Sequence, residues 1–138
     1  MIRWRIPHLR SSLLVAILLA ACGSPTEPRT TPLQEGAWGG SDIALTVANS
    51  SAKFFSSSCY VGLMPRPIID ESGRFTVSGT LERQVGPPAS SSAPEVTFTG
   101  QATANRVSFV GRYASGQTVG PFIAFFNVAA PRFSPCPP

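Results

Sequence analysis

The sequence predicts an all-β fold: a small antiparallel β-barrel or curved sandwich of seven or eight strands in meander order, after an N-terminal signal helix. Three observations lead to this prediction. Apolar and polar residues alternate with a period of two in several stretches, as they do in half-buried antiparallel strands. Clusters of Gly, Pro, Asn, Asp and Ser separate those stretches. Glycines recur among the apolar positions, which allows a sheet to coil and close.

The N-terminal segment has the features of a secretory signal. Residues 1–10 contain three arginines and no acid, and residues 13–21 are apolar throughout. A basic region, an apolar region and small residues before a cleavage site are typical of a signal peptide. The apolar run is shorter than the roughly 20 residues that a transmembrane helix requires. Residues 1–21 are therefore predicted to direct export.

The apolar run ends in Leu19-Ala20-Ala21-Cys22, which resembles the bacterial lipobox. The resemblance implies a diacylglycerol on the Cys22 thiol, cleavage before Cys22 and acylation of the new amine. Several acyl chains together give stable membrane anchoring. Residue 23 is Gly rather than the Asp that tends to retain lipoproteins in the inner membrane, so the expected location is the outer membrane or the cell surface. An ordinary signal peptide with a coincidental cysteine is the alternative.

Removal of residues 1–21 changes the charge balance. Three of the 11 basic residues lie in that segment and all seven acidic residues lie after it, so the remaining chain carries a net charge of +1. Without a basic excess, nucleic-acid binding is not indicated. Residues 22–36 are predicted to be the lipidated cysteine and a flexible Pro/Thr tether, because they hold too little apolar surface to offset the entropy of ordering. Residues 37–138 are predicted to form one β-domain.

The strands of this domain are predicted from their alternating residues. The predicted inward-facing residues are, in chain order, Ile43, Leu45 and Val47, then Phe75, Val77, Gly79 and Leu81, then Val96, Phe98, Gly100 and Ala102, then Val107, Phe109, Gly111 and Tyr113. The predicted turns are residues 49–51, 70–73, 86–94, 104–105 and 114–120. The run PFIAFFNVAA at residues 121–130 is apolar on both faces. We expect both faces of this last strand to be covered.

The β-domain begins with GAWGG at residues 36–40. Gly36-Ala37-Trp38 resembles the Gly-x-Trp of the first strand in lipocalin-like barrels, where the tryptophan closes one end of the barrel. That resemblance implies a carrier of a small apolar ligand. As a whole the chain resembles small uncharacterised bacterial lipoproteins with a β-domain and one disulfide, which implies no specific function. A plain core position is the alternative for Trp38.

Two cysteines remain once Cys22 is assigned to lipid, namely Cys59 and Cys136. Outside the cytoplasm the simplest arrangement of two remaining cysteines is a disulfide between them. Two free thiols are the alternative.

The sequence contains no recognisable catalytic motif. Its only histidine, His8, lies in the predicted signal, so the processed chain has no Ser-His-Asp, Cys-His or His-ligated metal site. We expect no metal and no cofactor. Paired carboxylates would suffice for glycoside hydrolysis. However, Asp70 and Glu71 are adjacent in a turn, and Glu82 and Glu95 flank a loop at outward positions, so we expect all four to be solvated.

The predicted function is that of a membrane-anchored envelope lipoprotein with a non-enzymatic binding or protein-contact β-domain. Its partner would be an envelope protein or a small apolar ligand. The alternatives are a lipocalin-like carrier and, less favoured, a carboxylate-based hydrolase. Trp38, Arg112 and Tyr113, with the 114–120 loop, are the predicted contact residues, because loops on a rigid β-scaffold commonly carry recognition. A solvated strand position for Arg112 and a core position for Tyr113 are the alternatives.

Overall fold

The computed structural model describes Gly23, residues 25–85 and residues 92–137. The predicted signal helix and the lipidation site Cys22 lie outside these described residues. No helix in the described ranges has the length and hydropathy needed to span a bilayer.

The strands are β1 (Thr31–Pro32), β2 (Gly36–Gly39), β3 (Ile43–Val47), β4 (Ser51–Ser56), β5 (Tyr60–Pro65), β6 (Ile68–Ile69), β7 (Arg74–Arg83), β8 (Glu95–Ala102), β9 (Arg106–Tyr113) and β10 (Thr118–Phe126).

Eight of these strands form a closed antiparallel barrel in the order β10-β2-β3-β4-β5-β7-β8-β9, and β1 and β6 form a separate two-stranded sheet. The last barrel strand closes onto the first through the pairs Phe125↔Gly39 and Phe126↔Trp38. The predicted all-β meander is confirmed. Because the sheet closes on itself, it is a barrel rather than a curved sandwich. Closure also leaves no barrel strand with an open edge.

Because the barrel is an antiparallel meander, its turns lie alternately at two ends. The turns after β2, β4, β7 and β9 lie at one end, which we call the distal end. The turns after β3, β5 and β8 lie at the other end, where the chain also enters β2 from residues 31–35. We call this second end the N-terminal end.

Side chains fill the barrel interior. Phe54, Phe98, Phe109 and Phe122 pack against one another in edge-to-face or tilted arrangements, with neighbouring ring centroids 4.8 to 5.9 Å apart. An eight-stranded barrel is just wide enough for side chains to fill it. The predicted inward residues Phe75, Leu81, Val96, Phe98, Val107 and Phe109 are buried, and Val77 is half-buried. Gly100 gives the ring of Phe75 its space, since a Cβ at position 100 would lie 2.7 Å from that ring.

The outer face of β10 differs from expectation. Phe122 and Ala124 face the interior, whereas Ile123 and Phe125 face outward and are 36% and 41% exposed. The expectation that both faces of this strand are covered is therefore wrong. Closure gives β10 a second neighbouring strand at its side, while the outward side chains of Ile123 and Phe125 keep over a third of their surface open within the described part of the chain.

The predicted tether, residues 22–36, is ordered in its last part. Thr31–Pro32 pairs with Ile68–Ile69, and Leu33 is only 3% exposed. The side chain of Arg66 donates a hydrogen bond from Nε to the carbonyl of Leu33 at 2.7 Å. The last six residues of the predicted tether therefore belong to the folded domain, because Leu33 gives them an apolar anchor that composition alone did not reveal.

The predicted disulfide between Cys59 and Cys136 is present, and the two Cα atoms are 5.7 Å apart. Cys59 lies in the turn between β4 and β5, at the distal end of the barrel. Cys136 lies beyond β10, which finishes at the N-terminal end. The bond therefore requires the C-terminal segment to return along the barrel.

Residues 127–137 make this return along the outside of the barrel, and we call them the C-terminal strap. The backbone of residues 128–130 lies so close to Gly39 that a Cβ there would collide with it. Further along, the ring of Phe133 packs on the ring of Phe55 with centroids 5.7 Å apart. The strap thus covers an outward-facing strip of β2 and β4 and ends at the disulfide.

Candidate functional site

A pocket of about 1070 Å³ opens at the distal end of the barrel. Its walls come from β5, β7, the start of β8, and β9 with the turn that follows it, and we call it the distal pocket. The side chains that line it include Tyr60, Glu82, Arg83, Glu95, Tyr113 and Gln117. The end of a β-barrel is a common position for a ligand site.

The only two tyrosines of the chain, Tyr60 and Tyr113, both line the distal pocket. Period-two alternation explains their positions. Tyr113 follows the inward-facing Phe109 and Gly111 on β9, and Tyr60 precedes the inward-facing Gly62 on β5. Each tyrosine therefore occupies the inward position next to a distal turn: Tyr60 follows the turn after β4, and Tyr113 precedes the turn after β9. Both are half-buried, which suits a side chain with an apolar ring and a polar tip.

A hydrogen bond holds Tyr113 in place. Its hydroxyl donates to the backbone carbonyl of Leu81 at 3.1 Å. Burial raises the pKa of Tyr113, and the nearby phenol of Tyr60 raises this pKa further. The Tyr113 phenol is therefore a neutral donor at neutral pH, and its ring is fixed against β7.

A cationic group adjoins the other tyrosine. Arg83 pairs with Tyr60 across the β5–β7 ladder, and its guanidinium carbon lies 6.0 Å from the centroid of the Tyr60 ring. That distance is at the outer limit for a cation–π contact. The pocket wall therefore combines an aromatic face with a hydrogen-bond donor of fixed charge.

Two carboxylates complete the lining. Glu82 is half-buried and Glu95 is exposed, and both line the distal pocket. Glu95 pairs with Thr80 across the β7–β8 ladder, so Glu82 is its diagonal neighbour on the same face. The Cα atoms of such diagonal neighbours are about 7–8 Å apart. The outward positions expected from sequence are thus correct, but the sequence analysis did not place these two carboxylates in a common pocket.

The other sequence-predicted carboxylates lie at the N-terminal end. Asp70 Oδ1 accepts hydrogen bonds from Ser72 Oγ at 2.7 Å, Ser72 N at 2.8 Å and Arg74 N at 2.9 Å. The Ser72 hydroxyl, with the backbone of Arg74, holds the pKa of Asp70 below its usual value. Glu71 accepts a hydrogen bond from the backbone of Arg29 at 2.8 Å. These carboxylates organise the turn before β7 and lie away from the distal pocket.

Trp38 is a core residue rather than a contact residue. It is 2% exposed, its Nε1 donates to the carbonyl of Gln34 at 3.0 Å, and its ring packs on Phe126 with centroids 5.1 Å apart. Its inclusion among the predicted contact residues is therefore corrected, because an inward position in a closed barrel leaves no indole surface for a partner. The indole instead packs inside the barrel on β2, close to the N-terminal end.

Arg112 is exposed on the outer face of β9, between Thr97 and Thr118 in the ladders. Arg112, Tyr113 and Glu95 all line a smaller surface depression of about 390 Å³ beside the distal pocket. Two of the three predicted contact residues therefore lie at the same end of the barrel.

Sequence reasoning missed Tyr60 and Arg83. The stretch YVGLMP that forms β5 shows no alternation of apolar and polar residues, so the direction of Tyr60 could not be read from it. Arg83 comes at the end of a well-patterned strand, where an arginine is ordinarily solvated. The pairing of these two residues across β5 and β7 is what brings them into the pocket.

No group of three or more His, Cys, Asp or Glu side chains within the described ranges is arranged to hold a metal ion. Comparison of the chain with protein-family models, curated proteins and solved structures found no match.

Proposed function

We propose that this chain is a lipid-anchored envelope protein whose β-barrel is a non-enzymatic binding module. The distal pocket, with Arg112 and the β9–β10 turn beside it, would be its binding surface. The lipobox-like sequence ending at Cys22 supports the anchor. The partner would be a component of the envelope.

One observation carries the binding role. The barrel interior is filled by the phenylalanine cluster around Phe54, whereas a wide pocket with two tyrosines opens at the distal end. Tyrosine and arginine are the residue types enriched at the energetic centres of interfaces. The filled interior gives less support to the lipocalin-like alternative, because an apolar ligand inside the barrel would have to displace packed side chains.

The direction of the pocket follows from the N-terminal segment. Residues 31–33 are held against the barrel by β6 and Arg66. With lipid on Cys22, only residues 22–30 would separate the bilayer from the folded domain, a span of at most about 30 Å. The distal pocket would then open away from the membrane that holds the anchor.

A carboxylate-based hydrolase remains the second candidate because Glu82 and Glu95 line the same pocket. Their backbone positions are diagonal neighbours about 7–8 Å apart, from which two carboxyl groups can reach the separation of about 5 to 10 Å that glycoside hydrolysis uses. We favour binding, because both side chains lie on outward strand positions where solvent has access.

Affinity capture from detergent-solubilised envelope, with mass spectrometry of the recovered proteins, lipids and wall fragments, tests the binding role. The lipidated wild-type protein would be compared with Tyr60→Ala and with Arg74→Ala, a control on an exposed arginine at the N-terminal end. A partner kept by the control and lost from Tyr60→Ala supports the proposal. Equal recovery by all three proteins contradicts it.

The anchor has its own test. Mass spectrometry of the membrane fraction should find Cys22 as the N-terminus, carrying acyl chains. Cys22→Ser should give an uncleaved or mislocalised precursor. An unmodified N-terminus at another residue would contradict lipidation.

A further inference from the structure

We infer that the distal pocket binds a saccharide: a short, uncharged stretch of a sugar chain. This inference rests on the proposed function of the pocket as a binding surface, and it names the chemical class of the ligand. It follows from the aromatic faces, the hydrogen-bonding groups and the size of the pocket.

The aromatic faces suit sugar rings. A pyranose ring presents C–H bonds with a small positive charge on its faces, and the face of an aromatic ring is negative. Tyr60 and Tyr113 are half-buried and line the same pocket at the end of the barrel, and the bond from Tyr113 to the carbonyl of Leu81 fixes one ring. A fixed ring loses little conformational freedom when a ligand stacks on it.

The polar groups suit hydroxyls. Arg83 and Gln117 offer donors, and Glu82 and Glu95 offer acceptors, in the same pocket. A sugar hydroxyl both donates and accepts, so neighbouring hydroxyls can satisfy both kinds of group. The mixture of charged acceptors and donors matches a ligand that is neutral and rich in hydroxyls.

The same groups disfavour other ligands. An acyl chain would remove water from two carboxylates and a guanidinium without offering them a hydrogen bond, which is costly. A nucleic acid would bring phosphates to Glu82 and Glu95. A basic peptide could pair with the carboxylates, but it would bring like charge to Arg83, which lies over Tyr60.

The size of the pocket indicates more than one sugar ring. Its volume of about 1070 Å³ is slightly above the range of about 300 to 1,000 Å³ that is usual for small-molecule sites. The pocket is also open to solvent on one side, as a site for part of a longer chain must be.

The two tyrosines allow a site-specific test. Labelling with 3-fluorotyrosine gives fluorine signals only from Tyr60 and Tyr113, so every tyrosine signal reports on the pocket. Tyr60→Phe and Tyr113→Phe assign the two signals. Fluorotryptophan at Trp38, buried near the opposite end of the barrel, serves as the internal control. The processed chain would be purified from membranes in a detergent without a sugar head group, because a glycoside detergent would compete for the pocket.

The saccharide probes are chitotetraose and cellotetraose. Palmitate represents an acyl-chain ligand, and a hexapeptide of alternating lysine and glycine represents a basic peptide. We expect at least one tetrasaccharide to shift both tyrosine signals saturably while the Trp38 signal stays in place. Glu95→Gln and Gln117→Ala, which change exposed side chains, should each weaken that binding by about tenfold. Arg74→Ala at the N-terminal end should leave it unchanged.

Other outcomes separate the two proposals. No response to either tetrasaccharide overturns the saccharide inference. If palmitate or the peptide shifts the signals instead, the pocket remains a binding surface and only the ligand class is wrong. Cleavage of a bound tetrasaccharide, detected by mass spectrometry and abolished in Glu82→Gln, would support saccharide recognition and overturn the non-enzymatic part of the proposed function.

Discussion

Gly62 lies directly opposite Phe54 in the β4–β5 ladder, and the ring of Phe54 occupies the space where a side chain at position 62 would stand. The absent side chain lets Phe54 reach the centre of the barrel, where it packs against Phe98, Phe109 and Phe122. A single glycine on one strand thus allows an aromatic residue on its neighbour to fill the interior. With the interior filled, the proposed binding surface lies at the end of the barrel rather than inside it.

Gly62→Ala should therefore destabilise the protein by about 1–3 kcal/mol, as overpacking of a well-filled core does. The added Cβ would overlap the Phe54 ring and force it from its position. Urea unfolding followed by Trp38 fluorescence would measure the loss. Gly23→Ala is the control, since nothing lies within 4 Å of a Cβ there. Equal stability of the two variants would contradict the packing described.

Phe98→Ala should lower the free energy of unfolding by about 3–5 kcal/mol, because it removes a fully buried ring and leaves a cavity. Phe125→Ala changes the same residue type at a position that is 41% exposed, and should cost less than about 1 kcal/mol. The comparison uses chemical denaturation of both variants. A loss below about 1 kcal/mol for Phe98→Ala would show that the barrel interior is wrongly assigned.

Replacing both Cys59 and Cys136 by Ser should lower stability by about 4 kcal/mol, because the bond closes a loop across a sequence separation of 77 residues. We expect the barrel to remain folded, since its ladders are independent of the bond. Amide hydrogen exchange in the strap should become faster than in the wild-type protein, and this increase should be larger than any increase in β7–β9. Phe133→Ala, which removes the contact with Phe55 but keeps the disulfide, should have a smaller effect. Unchanged exchange in the strap would contradict its dependence on the disulfide.

Stability should depend on the charge of Asp70. Hydrogen bonds from Ser72 and Arg74 lower its pKa from the ordinary value of 3.8, so the folded state favours the carboxylate. The resulting stabilisation is present above pH 3.8 and is lost as the pH falls through the lowered pKa. Asp70→Ala should thus unfold at a lower temperature than wild type near neutral pH, and the difference should shrink in acid. A difference in unfolding temperature that stays the same from neutral pH into acid would contradict this prediction.

Tyr113 should titrate above the ordinary tyrosine pKa of 10.0, because burial and the neighbouring phenol of Tyr60 both disfavour its anion. The corresponding stabilisation is fully present below pH 10.0 and is lost as the pH rises through the raised pKa. Carbon NMR of labelled tyrosine rings would follow the titration. Tyr60→Phe should lower the pKa of Tyr113 only in part, since burial is the larger cause. A Tyr113 pKa at or below 10.0 in wild type would contradict the geometry of the pocket.

The sequence by itself determined the strands in which apolar and polar residues alternate, and which side chains of those strands face inward. Period-two alternation is a local property, because successive residues of a strand point to opposite faces whatever lies beside the strand. Phe75, Phe98 and Phe109 are buried as that alternation predicted. The disulfide was also within reach of the sequence, because two cysteines remained once Cys22 was assigned to lipid.

Only the tertiary structure decided what depends on neighbours distant in the chain. The closure of β10 onto β2 leaves Phe125 exposed on an apolar strand that looked buried on both faces. Leu33 lies in a proline-rich segment and becomes buried only because β6 pairs with the preceding residues, Thr31–Pro32, and Pro67 accepts the Leu33 N–H. Tyr60 and Tyr113 line one pocket because β5 begins and β9 ends at the same end of the barrel. Such contacts depend on strand register and barrel closure, which are set by packing over the whole domain and leave no pattern in any one segment.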